Sequence, residues 1–444
     1  MTIQLSDRFT YGKLIRFTLP SIAMMIFTSI YSVIDGFFVS NFAGKVAFSA
    51  VNLVMPFLMI VATVGFMFGT GGTALVANTF GAGNKEKANR YFSLFVYVAF
   101  VLGVLFALAG FVWIRPIAAL LGAKGELLEH SIIYGRITLV TLPFFVLQLV
   151  FQSFFVAAEK PKLGLLVTAA AGVTNMVLDA VLVMLLPLEH KLAGAAMATA
   201  FSQLIGGVIP LVYFRRKNSS ILRLGKTTFD GKAILKACTN GSSEFMSNVS
   251  MSIVGMLYNI QLLKFAGENG VAAYGVMMYV SMIFSATFIG YTIGSAPVIA
   301  YHDGAGNHDE RKSLLNKSLR LLGVSGLVMV IAAQLLAVPL AHIFVGYDSK
   351  LMEMTVSGFR IFAIAFPLMG FAIFGSGFFT ALNDGLTSAL ISFLRTMVFQ
   401  VSAVLLLPIL WGIDGIWISI VAAELMAVVF TAVFLIRKRN QYHF

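Results

Sequence analysis

The chain has 444 residues, of which 59% are hydrophobic and only 11% are charged, and its mean hydropathy is +0.91. This composition excludes a soluble globular protein and indicates a polytopic membrane protein. The net charge of +12 could suggest a nucleic-acid partner, but its distribution fits membrane orientation, so we expect no nucleic-acid binding. The single Cys238 excludes an internal disulfide and a cysteine-based zinc site.

Twelve apolar runs follow one another along the chain, each long enough to cross ~30 Å of hydrocarbon as a helix. The first run carries Asp35 and has no small-residue cleavage site, so we interpret it as a membrane helix and not as a signal peptide. The predicted spans are 16–41, 46–78, 91–113, 131–157, 163–187, 193–214, 234–264, 270–300, 314–340, 354–382, 386–411 and 415–436.

The two halves of the chain resemble each other. Residues 42–44 and 265–267 both read Phe-Ala-Gly, and residues 81–84 and 304–307 both read Gly-Ala-Gly-Asn, each pair at an offset of 223. Arg136-Ile137 matches Arg360-Ile361 at an offset of 224, and such a near-constant offset indicates two structurally equivalent halves. Because each half has six spans, both halves run in the same direction through the membrane, as a parallel repeat.

We therefore predict an all-α polytopic membrane protein with twelve transmembrane helices in two parallel-repeat six-helix bundles. The predicted domains are an N-terminal lobe (1–214), a cytoplasmic linker (215–233) and a C-terminal lobe (234–444). The face that carries both termini has 23 Lys and Arg residues, and the other face has 8. This asymmetry predicts a multi-pass protein of the cell membrane with both termini in the cytoplasm. We interpret the basic stretch 215–236 as a flexible linker that sets orientation.

Two acidic residues lie deep in predicted spans of the first half, where a charge costs ~2.5–3.5 kcal/mol. At the helical rise, Asp35 and Asp179 lie about 28 Å and about 26 Å from the cytoplasmic ends of their helices, so their depths match. Asn175 lies one turn before Asp179 on the same face and offers a neutral oxygen. Their repeat counterparts, Tyr258 and Ala403, are not acidic. The pattern predicts a site that couples transport to Na⁺ or H⁺. The alternative is a buried structural hydrogen-bonded pair.

Pro20 lies 15 residues before Asp35 in the same predicted helix. An interior proline removes one backbone hydrogen bond and permits a kink. A kink that depends on the ionisation of Asp35 is one interpretation, and simple helix packing is the other.

The second half carries its own acidic residues. Glu244 belongs to a polar stripe at helical spacing, which must face the protein interior or a wet cavity, so it is a candidate partner for cationic substrates. Hydrogen bonding between helices is the alternative. Glu424 in the last span and Arg395 in the preceding one lie ~16–20 Å from the cytoplasmic side. We hypothesise that they form an ion pair; otherwise Glu424 is a second substrate or proton site. The stripe comprises Asn240, Glu244, Ser247, Met251, Gly255, Tyr258 and Asn259.

The chain lacks the motifs of the common enzyme and phosphate-binding classes. No Walker motif, zinc-protease motif, nucleophile elbow or hydrolase carboxylate pair occurs, so we expect neither an enzyme nor a cofactor. His302, Asp303, His308 and Asp309 could suggest a metal site. These residues lie in the segment of the second half that is equivalent to the loop 81–90 of the first half. We therefore expect a solvated cytoplasmic loop there.

Several of these features occur together, in order, along nearly the whole chain: Pro20 ahead of Asp35, the 81–84 motif, Asn175 with Asp179, and the segment 194–199. On these residues the chain resembles the multidrug and toxic compound extrusion (MATE) transporters. The resemblance implies two six-helix bundles around a central cleft. It also implies export of organic cations and other drugs, driven by inward flow of sodium ions or protons.

The resemblance assigns roles to residues that match the family pattern. The first-lobe coupling site falls on Asp35, Asn175 and Asp179, with Tyr134 and Thr199 beside it. The seventh-helix glutamate of the family falls on Glu244. No acidic residue occurs in 354–382, where one branch of the family has one, so the DinF-like or MepA-like branch is indicated, with coupling mainly through the first lobe.

Two further expectations concern partners and alternatives. We expect a monomer in the lipid bilayer with small organic cations or drugs as substrates. The competing function is a flippase for a lipid-linked or polysaccharide precursor, which would need extra helices and a cationic cleft for pyrophosphate. The charges inside the predicted spans are mostly acidic, which favours cationic substrates.

Overall fold

The computed structural model describes residues 3–443 and, within them, every side chain except those of Ser40, Lys45 and Glu268. Lys45, counted above among the basic residues of the face opposite the termini, therefore lies outside the described side chains. The helices are α1 (Tyr11–Ala43), α2 (Val46–Gly81), α3 (Lys85–Leu120), α4 (Glu126–Ala157), α5 (Pro161–Val183), α6 (Leu188–Arg215), α7 (Gly231–Gly267), α8 (Asn269–Gly304), α9 (His308–Val345), α10 (Ser349–Ala363 and Ala365–Ala381, bent by 43°) and a last helical run, Gly385–Tyr442.

The last helical run is two helices joined at a glycine. Gly412 adopts φ 58° and ψ −132°, which divides the run into α11 (385–411) and α12 (413–442). Gly44 and Gly267, an offset of 223 apart, likewise have positive φ values of 94° and 63° and separate α1 from α2 and α7 from α8. Only glycine adopts such angles without strain. Within the described range the predicted twelve-helix, all-α fold is confirmed.

The repeat is visible where α2 of the first lobe crosses α8 of the second. A Cβ atom on Gly81 would lie 1.9 Å from the carbonyl oxygen of Tyr301, and one on Gly304 would lie 1.9 Å from the carbonyl oxygen of Asn78. Gly81 and Gly304 are 223 residues apart, and so are Asn78 and Tyr301. Equivalent residues thus make reciprocal contacts, as a two-fold axis between parallel repeats requires.

The lobes join at the end of the bundle that carries both chain termini, which we call the termini side. One buried cluster there contains residues of both lobes, among them Phe17, Ala77, Phe288 and Phe378. In the half of the second lobe remote from the termini side, the buried cluster around Tyr258 contains second-lobe residues only, among those described. The lobes therefore share a core at one end and separate toward the other.

The linker between the lobes packs on α3. The amide of Arg223 donates to Asn89 Oδ1 at 2.7 Å, and the amide of Gly225 donates to Ser93 Oγ at 3.0 Å. Leu222 is fully buried. The stretch predicted as a flexible linker is thus held along the first three turns of α3.

The segment before α1 bridges the lobes. The amide of Leu5 donates to Glu159 Oε1 at 2.7 Å, between α4 and α5 of the first lobe. The amide of Phe9 donates to Glu310 Oε1 at 2.8 Å, in the first turn of α9. Leu5 and Phe9 are both 1% exposed. This N-terminal strap (residues 3–10) therefore ties the lobes together on the termini side.

The loop predicted to be solvated is only partly so: His308 and Asp309 are exposed as expected, whereas His302 and Asp303 lie in a contact between the lobes. Asp303 accepts a hydrogen bond from Asn78 Nδ2 of α2 at 2.9 Å and pairs with Arg311. His302 is 2% exposed, and its ring lies 3.3 Å from the carbonyl oxygen of Asp7. The expectation was wrong for His302 and Asp303 because α2 and the strap cover them, in contacts between residues over 200 positions apart. Across residues 3–443 no group of three or more His, Cys, Asp or Glu could hold a metal ion.

Candidate functional site

The site in the first lobe depends on a close contact between α1 and α5. A Cβ atom on Gly172 of α5 would lie 2.5 Å from Phe27 Cε1 and 2.7 Å from Tyr31 Cδ1 of α1. Asp35 follows Tyr31 by one turn on the same face of α1, and Asp179 follows Gly172 by two turns on the same face of α5. The missing side chain at position 172 therefore lets the two acidic residues approach each other.

The two predicted carboxyl groups are direct neighbours in the structure. The side chains of Asp35 and Asp179 lie close enough for their charges to interact, without a hydrogen bond between them, and Asn175 is a second neighbour of Asp35. Asp179 is completely buried, whereas Asp35 is half-buried. Two negative charges this close, away from water, repel each other strongly. The arrangement is stable only when a proton or a cation compensates for one of them.

Several oxygen atoms of this site have no hydrogen-bond partner. Both carboxylate oxygens of Asp179, Oδ1 of Asp35 and Oγ1 of Thr199 are buried and unpartnered within the described residues. Buried polar atoms nearly always have a partner, so a group of unpartnered oxygens needs an explanation. Carboxylate, hydroxyl and amide oxygens are the ligands that hard cations prefer. The residues present fit a small cation or transferable protons.

Tyr134 of α4 completes the predicted set. It is 1% exposed, its hydroxyl lies beside Thr199, and both carboxyl groups are close to it. The sequence analysis missed two residues of this region: Tyr31, which lies near Asp35, and Gln148, which lies beside Tyr31. Tyr31 could have been found, because it precedes Asp35 by one helical turn.

Both helices that carry the acidic residues become irregular at the site. A π-helical segment, Val39–Ala43, follows Asp35 by one turn, and another, Asp179–Val183, begins at Asp179 itself. The two segments contact each other. Such segments frequently occur at functional sites. Pro20 is buried, and α1 is continuous through it.

In the second lobe, the buried acidic residue has a cationic partner. Glu424 is completely buried and accepts hydrogen bonds from Arg395 Nε at 2.9 Å and Nη2 at 2.8 Å. The ion pair hypothesised from the sequence is therefore present. Arg395 lies in a π-helical segment, Leu394–Gln400. Glu424 is a compensated charge and not a free carboxylate.

The other second-lobe candidates do not join a common site. Tyr258 is 1% exposed, its hydroxyl lies 2.7 Å from Ser419 Oγ, and its ring stacks on Tyr274, so it belongs to the core of the lobe. Glu244 is half-buried, and no salt bridge in the described part of the chain includes it. The structure brings Asp35, Asn175, Asp179, Tyr134 and Thr199 together and leaves Glu244 and Glu424 apart from them.

Comparison with known proteins gives the family. The MatE family model matches residues 20–181 and, separately, residues 245–406, which are equivalent parts of the two halves. The chain belongs to the MatE family. It is therefore a multi-pass membrane transporter and not an enzyme, as the sequence indicated.

Relatives cover nearly the whole chain. The multidrug export protein MepA of Staphylococcus haemolyticus is 24% identical over 430 residues, which cover 96% of this chain and 93% of that protein. MepA of Staphylococcus aureus (strain MRSA252) is 24% identical over 97% of this chain and 94% of its own length. The outward-facing structure of a multidrug resistance MATE family transporter superimposes with a TM-score of 0.92 at 22% identity, covering 98% of this chain and 97% of that one.

Proposed function

We propose that this MatE-family transporter exports organic cations or drugs from the cell in exchange for Na⁺ or H⁺ that enters. The observation that carries the proposal is the group of buried, unpartnered oxygens around Asp35 and Asp179. Relatives that align over nearly the full chain are named for multidrug export, which supports the substrate class. No relative described above is named for transport of lipid-linked precursors, so the flippase alternative is less favoured.

The proposed mechanism is alternating access. An ion that enters from the side opposite the termini reaches the half-buried Asp35, compensates for the charge between Asp35 and Asp179, and favours close packing of α1 on α5. A cationic drug that enters from the termini side favours the opposite arrangement of the lobes. Ion and drug need no common ligand atom, because exchange requires only that each binds a different state more tightly.

The proposal gives each remaining residue a role. Tyr134 and Thr199 would supply oxygens to the coupling ion, and Asn175 would hold Asp35 in place. Glu244 would attract cationic substrates, since it has no ion-pair partner among the described residues. The basic termini side would be cytoplasmic, so the structure, closed at that side, would represent the outward-facing state.

The test is efflux of ethidium from drug-sensitive cells with sodium and pH gradients imposed separately. We would compare the wild type with Asp35→Asn and Asp179→Asn, and use Asp414→Asn, which removes an exposed carboxylate outside the site, as the matched control. We expect efflux to need one gradient, to persist in the control and to disappear in both site variants.

Two results would contradict the proposal. Folded, membrane-inserted site variants that still export ethidium along the same gradient would exclude coupling at this pair. A wild type that moves no organic cation but translocates a lipid-linked oligosaccharide in vesicles would establish the flippase function instead.

A further inference from the structure

A cavity of about 350 Å³ lies between the linker and the start of α3 on the termini side. Its walls include Glu86 and Arg90 of α3, and Arg223, Lys226 and Thr228 of the linker. None of these residues belongs to the proposed transport site in the first lobe.

Most of the hydrogen bonds that fix the walls of this cavity use backbone groups and hydroxyls, and Arg223 Nη2 also donates to the carbonyl oxygen of Asn218 at 3.3 Å. The hydroxyl of Thr227 donates to the carbonyl oxygen of Arg90 at 2.8 Å, and the hydroxyl of Tyr97 donates to the carbonyl oxygen of Gly225 at 3.1 Å. The amide of Gly225 donates to Ser93 Oγ. The cavity is thus a built feature of the fold.

The charge around the cavity is positive and uncompensated. Arg90, Arg223 and Lys226 face a single carboxylate, Glu86, and no salt bridge in residues 3–443 includes any of the three cations. A concave site with three cations and hydroxyl groups attracts a phosphate group. Charges that only set membrane orientation need not be grouped around one cavity.

The cavity continues into a lipid-facing surface. Below it on α3, Tyr97, Val101 and Leu105 follow at four-residue steps and are 37%, 54% and 54% exposed. Residues four apart lie on one face of a helix. A headgroup in the cavity would therefore have its acyl chains beside a continuous apolar stripe, with a tyrosine at the interface where aromatic residues are favoured.

We propose that this cavity binds the phosphate of an anionic phospholipid of the termini-side leaflet. The bound headgroup connects the linker to α3 through Arg90, Arg223 and Lys226, and the acyl chains lie along Tyr97, Val101 and Leu105. Basic pockets at the membrane surface bind anionic headgroups in this way. Free phosphate shares the headgroup chemistry but makes no use of the apolar stripe.

The test uses the full-length protein purified in detergent, with phosphatidylglycerol, phosphatidylcholine and inorganic phosphate added separately. Native mass spectrometry counts the bound lipids and gives their affinity, and thermal unfolding reports stabilisation. The variant is Arg223→Gln with Lys226→Gln. The matched control is Arg216→Gln with Lys217→Gln, two exposed cations of the same linker that do not line the cavity.

We expect phosphatidylglycerol, and not phosphatidylcholine or phosphate, to stabilise the wild type and the control. The cavity variant should bind one phosphatidylglycerol fewer, or bind it about 30-fold more weakly, since each cation at a membrane surface contributes about 1 kcal/mol. Lys226→Gln alone provides a milder variant if the double one unfolds. Equal losses in variant and control, equal binding of phosphatidylcholine, or full stabilisation by phosphate alone would each overturn the proposal.

Discussion

Replacing Gly304 with alanine is expected to open the termini side of the protein. The added Cβ would lie 1.9 Å from the carbonyl oxygen of Asn78, where a C···O contact needs about 3.3 Å. The obstructing atom belongs to the backbone of α2, so no side-chain rotation relieves the clash. The helices must separate by roughly 1.4 Å at this point, which is the difference between the two distances.

The clash raises the free energy only of the closed state, in which Gly304 contacts Asn78. Overpacking of this kind costs about 1–3 kcal/mol. A cost of about 2 kcal/mol lowers the ratio of closed to open molecules by about 30-fold, because every 1.4 kcal/mol is a factor of ten. Gly81→Ala should have the same effect, since its Cβ would meet the carbonyl oxygen of Tyr301 at the same 1.9 Å.

The assay is a distance measurement between the lobes on the termini side. Spin labels on Lys162→Cys and Lys312→Cys, both exposed positions, would be placed in a Cys238→Ser background and measured by double electron–electron resonance. We expect the longer-distance population to grow in Gly304→Ala. The control is Gly275→Ala on the same helix, where a Cβ would meet no atom within 4 Å. This control also corrects for the greater helix propensity of alanine, about 1 kcal/mol.

A Gly304→Ala protein that keeps the wild-type distance distribution would refute this account of the crossing. So would a Gly275→Ala control that shifts the distances equally, because the shift would then come from helix propensity and not from the clash.

Three further predictions concern other contacts. Arg395→Gln and Glu424→Gln should each lower the free energy of unfolding by about 3–5 kcal/mol, since each leaves a wholly or mostly buried charge unpaired. Thermal unfolding of both variants and of the charge-swapped double variant tests this, and a swap that restores no stability would disprove the pairing. Burial raises the pKa of Glu159 above its usual value, so its contribution to stability is present at low pH and is lost as pH rises through the pKa of the folded state. Glu159→Gln, which still accepts the Leu5 hydrogen bond, should flatten the stability–pH curve of the wild type above pH ~4.5, and an unchanged curve would contradict this. Gly172→Ala should separate α1 from α5 and lower ion-driven ethidium efflux by roughly 10-fold, the equivalent of overpacking by about 1–2 kcal/mol. Gly255→Ala, which meets no atom within 4 Å, is its control, and equal efflux from the two variants would exclude the proposed role of the contact.

The elements that depend on local pattern were predictable from the sequence. Hydropathy and the repeat offset gave the twelve helices, because the bilayer imposes both length and backbone hydrogen bonding. Depth along the helices was enough to place Asp35 beside Asp179 and Arg395 beside Glu424. In both cases a buried charge has few possible neighbours at the same depth.

The contacts between lobes were not predictable in this way. Asn78 meets Asp303, and Glu310 binds the amide of Phe9, across separations of 225 and 301 residues. The periodicity of the sequence does not indicate which residues pair across such separations. Polar residues at a helix end look the same whether water or another lobe covers them, which is why the region around His302 was expected to be solvated.

The polar stripe on α7 shows a related limit of helical periodicity. Periodicity finds the residues of one face but does not say what that face meets. Tyr258 meets Ser419 inside its own lobe, whereas Asn240 donates to Asn383 Oδ1 at 2.6 Å near the termini side. Glu244, between them, has neither kind of partner in the described structure.

The two halves of the chain have the same framework of helices but a different distribution of buried charge. Helix α1 takes part both in the charged site of the first lobe and in the contact between the lobes. The second lobe compensates for Glu424 with Arg395, whereas no salt bridge among the described residues includes Asp35 or Asp179. α1 carries Asp35 toward one end, and toward the other it crosses α8, where Cβ atoms on Gly290 and Gly294 would meet Ile22 and Thr18 at 2.5 and 3.0 Å.

Pro20 lies between Thr18 and Ile22, the two residues of α1 that contact α8. At Pro20 the helix lacks a backbone hydrogen bond and bends most easily. A change in charge at Asp35 that alters the packing of α1 on α5 therefore acts on one helix whose weakest point lies in the contact between lobes. In the proposed mechanism, a site confined to the first lobe would in this way control a movement that involves both lobes. The proposed mechanism then needs no second ion site, in line with the absence of an acidic residue from 354–382.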